Sequence, residues 1–154
     1  MIEQAKINHQ LIMKTFAITK SHLDKNNFYV GAQNLENFDG HITSDDDLGV
    51  IRFHKGISLS CTGSIVFGAG TGIKADEGIE AGEGINAGKG IEAGKGIKAG
   101  WGIKAGKGIK AGRGIEAGTG IMAGEGIEAG EGIEAGCGIE AGEGIKAGEG
   151  IKAG

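Results

Sequence analysis

The chain has 154 residues, with 34 glycines, no proline, two cysteines, and 16 basic against 20 acidic side chains. Lacking proline, and with glycine absent from every third position, it is not a collagen. It holds no apolar run of about 18 residues that could span a membrane, and a formal net charge of −4 points to no partner class.

Residues 1–48 differ in composition from the remainder and read as a small irregular α/β head that caps a rod. A short helix is expected near residues 3–13, and strands near residues 16–18 and 28–30. The first four residues, Met1, Ile2, Glu3 and Gln4, lack the basic-then-apolar order of a secretory signal, so a cytoplasmic location is expected. Residues 49–70 read as irregular first coils. Residues 50–53 form one expected strand; Ile57, Leu59 and Cys61, alternating with Ser58 and Ser60, form another. Counting back in sixes from Ile73 puts Phe67 and Cys61 at isoleucine-equivalent, inward positions and Ala69 at an alanine-equivalent one.

From residue 71 to 154 the chain repeats Gly-Ile-x-Ala-Gly-x, with isoleucine at every sixth position from Ile73 to Ile151 and no insertion. A period this short specifies a solenoid. Ile and Ala lie two residues apart around a residue that is nearly always charged, which is the in-out-in alternation of a strand. The flanking glycines are expected to bend the chain through positive φ. Turn length follows from charge. With three units per turn, one column reads Lys74, Glu92, Lys110, Glu128, Lys146, alternating in sign, and a second reads Glu80, Lys98, Glu116, Glu134, Lys152. With two units per turn, glutamates stack on glutamates about 4.8 Å apart and repel. The expected fold is therefore an all-β solenoid, a triangular parallel β-helix with 18-residue coils. Cys61 and Cys137 fall many layers apart, on inward and outward positions, too far for a disulfide.

The aliphatic residue at every sixth position, with small residues beside it, resembles the hexapeptide-repeat family of parallel β-helices over about residues 55–154. The resemblance implies a left-handed coil. It also raises acyltransferase activity, since enzymes of that family use a histidine near the coil wall, extruded loops and trimeric packing. Here His9, His22, His41 and His54 all precede the regular repeat, which has no loop excursion. No enzyme activity, cofactor or metal site is expected. Asp45, Asp46 and Asp47 read as a solvated turn rather than a cation site, and no histidine or cysteine pair has ligand spacing. Many equivalent glycine corners with no following helix are not a phosphate-binding loop.

The repeat's exceptions carry the functional expectation. Glu83, Trp101, Thr119 and Cys137 lie 18 apart, so three successive layers present uncharged side chains at one edge, with Met122 close by. An exposed tryptophan in such company anchors protein partners. Charge is segregated along the axis: Lys104, Lys107 and Arg113 belong to a basic belt, Glu116 and Glu134 to an acidic one. Such a field steers polar partners, while direct nucleic-acid binding is disfavoured because only Trp101 supplies an aromatic platform. The last coil, with Ile145, Ile151, Lys152 and Ala153, stops in mid-pattern and is the expected site of homodimerisation.

The leading expectation is a non-enzymatic protein-binding module. By analogy with small repeat proteins of phages and mobile elements, one concrete form is an inhibitor of a host defence complex, as anti-CRISPR proteins are, with a nucleic-acid-binding complex as its target. The alternatives are a self-assembling fibre or filament element and, third, an acyltransferase.

Overall fold

The structure, a computed structural model, describes residues 13–154. The described chain is almost entirely β, its one helical piece being the short 3-10 turn Lys20–His22. Its first strands are β1 (Lys14–Ile18), β2 (Gly40–Ser44), β3 (Gly49–Phe53), β4 (Leu59–Cys61), β5 (Ile65–Phe67) and β6 (Thr71–Ala75). Every later repeat unit contributes one further short strand. All pair in parallel with strands three ahead or behind once the repeat begins, giving sheets of seven, six and six strands. The first face contains β1, β2 and β5 and runs down to Ile139–Ala141; the second contains β3 and β6 and ends at Ile145–Ala147; the third starts at β4 and ends at Gly150–Ala153.

Three sheets in rotation make a triangular prism. Ile73, Ile91, Ile109, Ile127 and Ile145 stack in register, which fixes the 18-residue turn that the charge columns require. Every repeat isoleucine and alanine from Ile73 to Ala135 is at most 3% exposed. Each coil therefore stacks Ile on Ile and Ala on Ala, and burying one isoleucine side chain contributes about 1.5–3 kcal/mol.

Upstream turns are wider. On the first face the register partners run Phe16, Ile42, Ile65, Ile85 and Ile103, so the turns shorten steadily until the regular repeat sets in. Counting back in sixes therefore slips by two positions. Leu59 and Ile65 take the isoleucine places, while Cys61 and Phe67 pair with Ala81 and Ala87. Both remain inward, but at alanine-equivalent sites, and Ala69 is not a wall residue at all. The extra residues lie in the corner between β5 and β6, where Gly70 adopts φ +68° and the Ala69 carbonyl accepts the Asp47 amide at 2.7 Å. Asp45, Asp46 and Asp47 line this turn, exposed, and no cluster of metal-ligating side chains is found among the described residues.

The described part of the expected head is continuous with the solenoid. β1 pairs with β2 along the first face. Tyr29 donates its amide to Arg52 and Arg52 to Asn27, beside β3, with Phe28 bridged in parallel to Arg52. Phe38 donates to Ser60 and Ser60 to Leu35, beside β4. Residues 14–44 thus form the widest turn of the same coil. Aromatic side chains fill its larger cross-section: Phe16 lies 6.3 Å from both Tyr29 and Phe38, edge-on to each. The expected strand at residues 28–30 is reduced to bridges, and the expected helix near residues 3–13 lies almost wholly outside the described residues.

The glycines need a different explanation from the one expected. Among described residues, positive φ is confined to Gly40, Gly49, Gly56 and Gly70 and three non-glycines, none within the regular repeat. The repeat's corners turn at ordinary φ. What demands glycine is backbone proximity: a Cβ on Gly94, Gly100, Gly112 or Gly118 would overlap the carbonyl oxygen of the coil before it.

Candidate partner-binding face

Each face displays one outward column along its strand centres, and the three columns differ. On the second face Arg52, Lys74, Glu92, Lys110, Glu128 and Lys146 are register neighbours in turn. Lys74 reaches Glu92 at 2.9 Å and Lys110 reaches Glu128 at 3.7 Å. On the third face Ser60, Glu80, Lys98, Glu116, Glu134 and Lys152 stack likewise. Lys98 reaches Glu116 at 3.3 Å and Lys152 donates to Glu134 at 2.8 Å, a contact that raises the Lys152 pKa. These two faces neutralise much of their charge internally.

The first face does not. Its column reads Thr43, Val66, Asn86, Lys104, Met122 and Glu140. Lys104 stands between an amide and a thioether, and Glu140 below the thioether, so neither has an opposite charge beside it in the ladder. No ion pair engages either side chain among the described residues. Two ladder steps, about 9–10 Å, separate them. The three faces are thus alike in backbone and unlike in electrostatics.

Beside this face runs the corner column of Trp101, Thr119 and Cys137. Trp101 donates its amide to Glu83, Thr119 to Trp101 and Cys137 to Thr119, at 3.0, 3.0 and 2.9 Å. The column inferred from spacing is therefore a hydrogen-bonded edge. Trp101 is 63% exposed, Met122 44% and Val66 40%. From β5 onward the only other large apolar side chain so exposed is Ile151. Trp101, Thr119, Met122, Cys137 and Lys104 consequently lie on one side of the rod. Lys107 borders that side at the far corner, where it reaches Glu125 at 3.9 Å.

Other expected residues lie elsewhere. Arg113 occupies the corner between the second and third faces, in the column of Glu77, Lys95 and Glu131, where Lys95 is paired with Glu77. Glu116 and Glu134 sit on the third face, each engaged by a lysine. The basic and acidic belts are thus rings around successive coils rather than patches on one face. Of the expected self-association residues, Ile145 is half-buried at the second face's last strand; Ile151, Lys152 and Ala153 are exposed on the third face's last strand. Val66 was not singled out by sequence. Its alignment above Asn86 crosses a wider turn, which period counting misplaces.

The described histidines have structural occupations. The His22 ring accepts the Thr19 amide at 3.0 Å, and His54 stacks on Phe28 with centroids 4.5 Å apart. The His41 Nδ1 accepts the Ser64 amide at 2.9 Å, while the Ser64 hydroxyl bonds Glu83 at 2.7 Å. With Nδ1 committed to a backbone amide and the serine hydroxyl turned to the carboxylate, this trio lacks the nucleophile-to-base hydrogen bond of a hydrolase. His9 lies outside the described residues. Both cysteines are free, Cys61 buried and Cys137 exposed. No helix among the described residues is long and apolar enough to cross a membrane.

Comparison with protein-family models, curated proteins and solved structures finds no match to this chain.

Proposed function

We propose that this chain is a non-enzymatic protein-binding module whose recognition surface is the first face with its Trp101 corner. The observation that carries this reading is the contrast among faces. Most ladder lysines of the second and third faces reach a glutamate on the same face; the first face leaves Lys104 and Glu140 unpaired around Met122 and beside an exposed tryptophan. Unpaired charge flanking an apolar centre is what a complementary protein surface satisfies, with aromatic anchors contributing most of the affinity. A rigid β wall also loses little conformational entropy on binding.

The form favoured by analogy is a phage-encoded inhibitor, anti-CRISPR-like, that blocks a host defence complex sterically or electrostatically and without turnover. The glutamate-rich coil from Glu128 to Glu143 bears on this reading, because it carries five carboxylates and no cation of its own and suits the basic groove of a nucleic-acid-binding complex. Among the described residues only Glu128 and Glu134 of these five are held by lysines of neighbouring coils.

Affinity capture from bacterial lysate tests the surface. The comparison is between wild type, Trp101→Glu, Met122→Glu and a second-face control, Lys110→Ala. A protein held by wild type and by the control, and lost by both first-face variants, is the expected outcome. A partner retained equally by all four forms would remove the first face from the proposal.

A further inference from the structure

We infer that a second copy of this chain docks on the first face with the two rods antiparallel and the two-fold axis through Met122. The inference rests on the reading of this face as a protein-binding surface and names its partner. The column order Lys104, Met122, Glu140 places opposite charges one layer above and one layer below an apolar residue. An antiparallel two-fold exchanges those layers. Lys104 then meets the partner's Glu140, Glu140 meets the partner's Lys104, and Met122 packs on the partner's Met122. One symmetry operation thus satisfies both charges that the monomer leaves unpaired, as an isologous interface requires.

The flanking corners follow the same order. Trp101 lies one layer above Thr119 and two above Cys137, so it covers the partner's Cys137 and reaches toward the partner's Thr119. At the opposite corner Lys107 stands two layers above Glu143 and faces the partner's Glu143. Glu125, in the layer of the axis, meets the partner's Glu125, a like-charge contact tempered by Lys107, which reaches Glu125 at 3.9 Å within each chain. A parallel arrangement fails, because it sets Lys104 on Lys104 and Glu140 on Glu140, and like charges across an interface oppose association. The second and third faces offer less driving force, because Lys74, Lys98, Lys110 and Lys152 already reach glutamates within the same chain.

Three layers engage, about 14 Å of rod at ladder spacing. The contact belongs to the small, transient class, below about 1,200 Å² in total, and electrostatic matching sets its register. It is therefore expected to be weak and sensitive to salt.

Sedimentation equilibrium of the full chain at low ionic strength, across a concentration series, decides the matter. Four forms are compared: wild type, Lys104→Glu, Glu140→Lys and the double exchange. Wild type is expected to dimerise. Each single reversal, which sets like charges opposite one another, is expected to weaken the dimer by about tenfold or more. The double exchange restores it, and so does an equimolar mixture of the two single variants, since each supplies the charge that the other lacks. All these substitutions are on exposed positions, and an unchanged circular-dichroism spectrum confirms the fold. Wild type that remains monomeric up to about millimolar concentration overturns the inference. So does a dimer indifferent to both reversals, which would place the contact elsewhere, including the last coil. A monomeric wild type that still loses a captured partner on Trp101→Glu would refute the second copy and leave the protein-binding face standing.

Discussion

Gly118 and Gly120 stand two residues apart, on either side of Thr119. A Cβ on Gly118 would overlap the Gly100 carbonyl oxygen one coil back, whereas a Cβ on Gly120 would lie 3.4 Å from the Gly138 oxygen, close to ordinary contact. Gly118→Ala must push two coils apart and is expected to cost about 1–3 kcal/mol, the usual range for overpacking. Gly120→Ala should be near neutral, because the reduced entropy of the unfolded chain, worth about 0.4–1 kcal/mol, offsets a slightly tight fit. Thermal unfolding of the two variants checks this; equal losses would mean that backbone proximity is not what selects glycine. The cysteines give a second test at this scale. Burial pushes the Cys61 thiol up to about 11 from 9.0, and its Sγ donates to the Gly63 carbonyl at 3.4 Å, whereas Cys137 is exposed. A thiol reagent at neutral pH should label one site in the native protein, removed by Cys137→Ser, and a second only on unfolding. Above pH 9 the unfolded Cys61 thiol ionises while the folded one holds its proton, so the unfolded state binds fewer protons and stability falls as pH rises toward 11. Relative to Cys61→Ala, wild type should lose stability with a slope that stays below about 1.4 kcal/mol per pH unit and is steepest near the middle of that window. A constant difference between the two proteins from pH 8 to 11 would show that Cys61 ionises as freely when folded as when unfolded.

At the scale of strands and corners, what could be read from sequence was whatever the six-residue period controls. The strand triplets, their inward Ile and Ala, and the 18-residue turn all follow from one repeated unit, because each unit sees the same neighbours and stacking of opposite charges selects the turn length. The corner column of Trp101, Thr119 and Cys137 was legible for the same reason: three positions one turn apart must share an edge. Legibility fails where the period does. The turns above the repeat are wider and unequal, so Leu59 and Ile65, not Cys61 and Phe67, carry the isoleucine role, and the six-residue period does not place Val66 on the first face. A segment of different composition also reads as a separate head, although residues 14–44 close a coil. Its sides at residues 27–29 and 35–38 hold only single bridges and isolated hydrogen bonds, too little regularity for period-two alternation to register. The role of glycine is hidden in the sequence for another physical reason. Tight turns and close approach of two backbones both select glycine, and only coordinates separate a φ requirement from a steric one. The isolation of Lys104 and Glu140 is legible in principle, because Asn86, Lys104, Met122 and Glu140 also stand one turn apart, one column among three that only the register sets side by side.

For the whole molecule, the repeat makes fold and surface separable, because the interior is identical at every sixth residue while the surface is not. Deleting one repeat unit, 106–111, joins Ala105 to Gly112 and keeps every isoleucine in frame, so the solenoid should persist with one side fewer. Everything downstream rotates by a third of a turn. Trp101 is then divided from Thr119, Met122 and Cys137, which move to a different side of the rod. Deleting a full turn, 106–123, preserves the rotation but removes the Met122 layer. Lys104 then becomes the ladder neighbour of Glu140, and the first face acquires the internal pairing of the other two, each such exposed pair being worth at most about 1 kcal/mol. Both deletions should retain β-type circular dichroism and cooperative melting, since a solenoid's stability is close to a sum over coils and their nearest-neighbour contacts. Both should abolish binding at the first face, the shorter by scattering its residues and the longer by neutralising its charges. If the full-turn deletion binds its partner as wild type does, then unpaired charge around Met122 is not what the partner recognises, and the Trp101 corner alone must account for it. If the single-unit deletion also binds, Thr119, Met122 and Cys137 are not part of the site, and recognition belongs to what both deletions leave in place, Trp101 itself or the wide turns above the repeat.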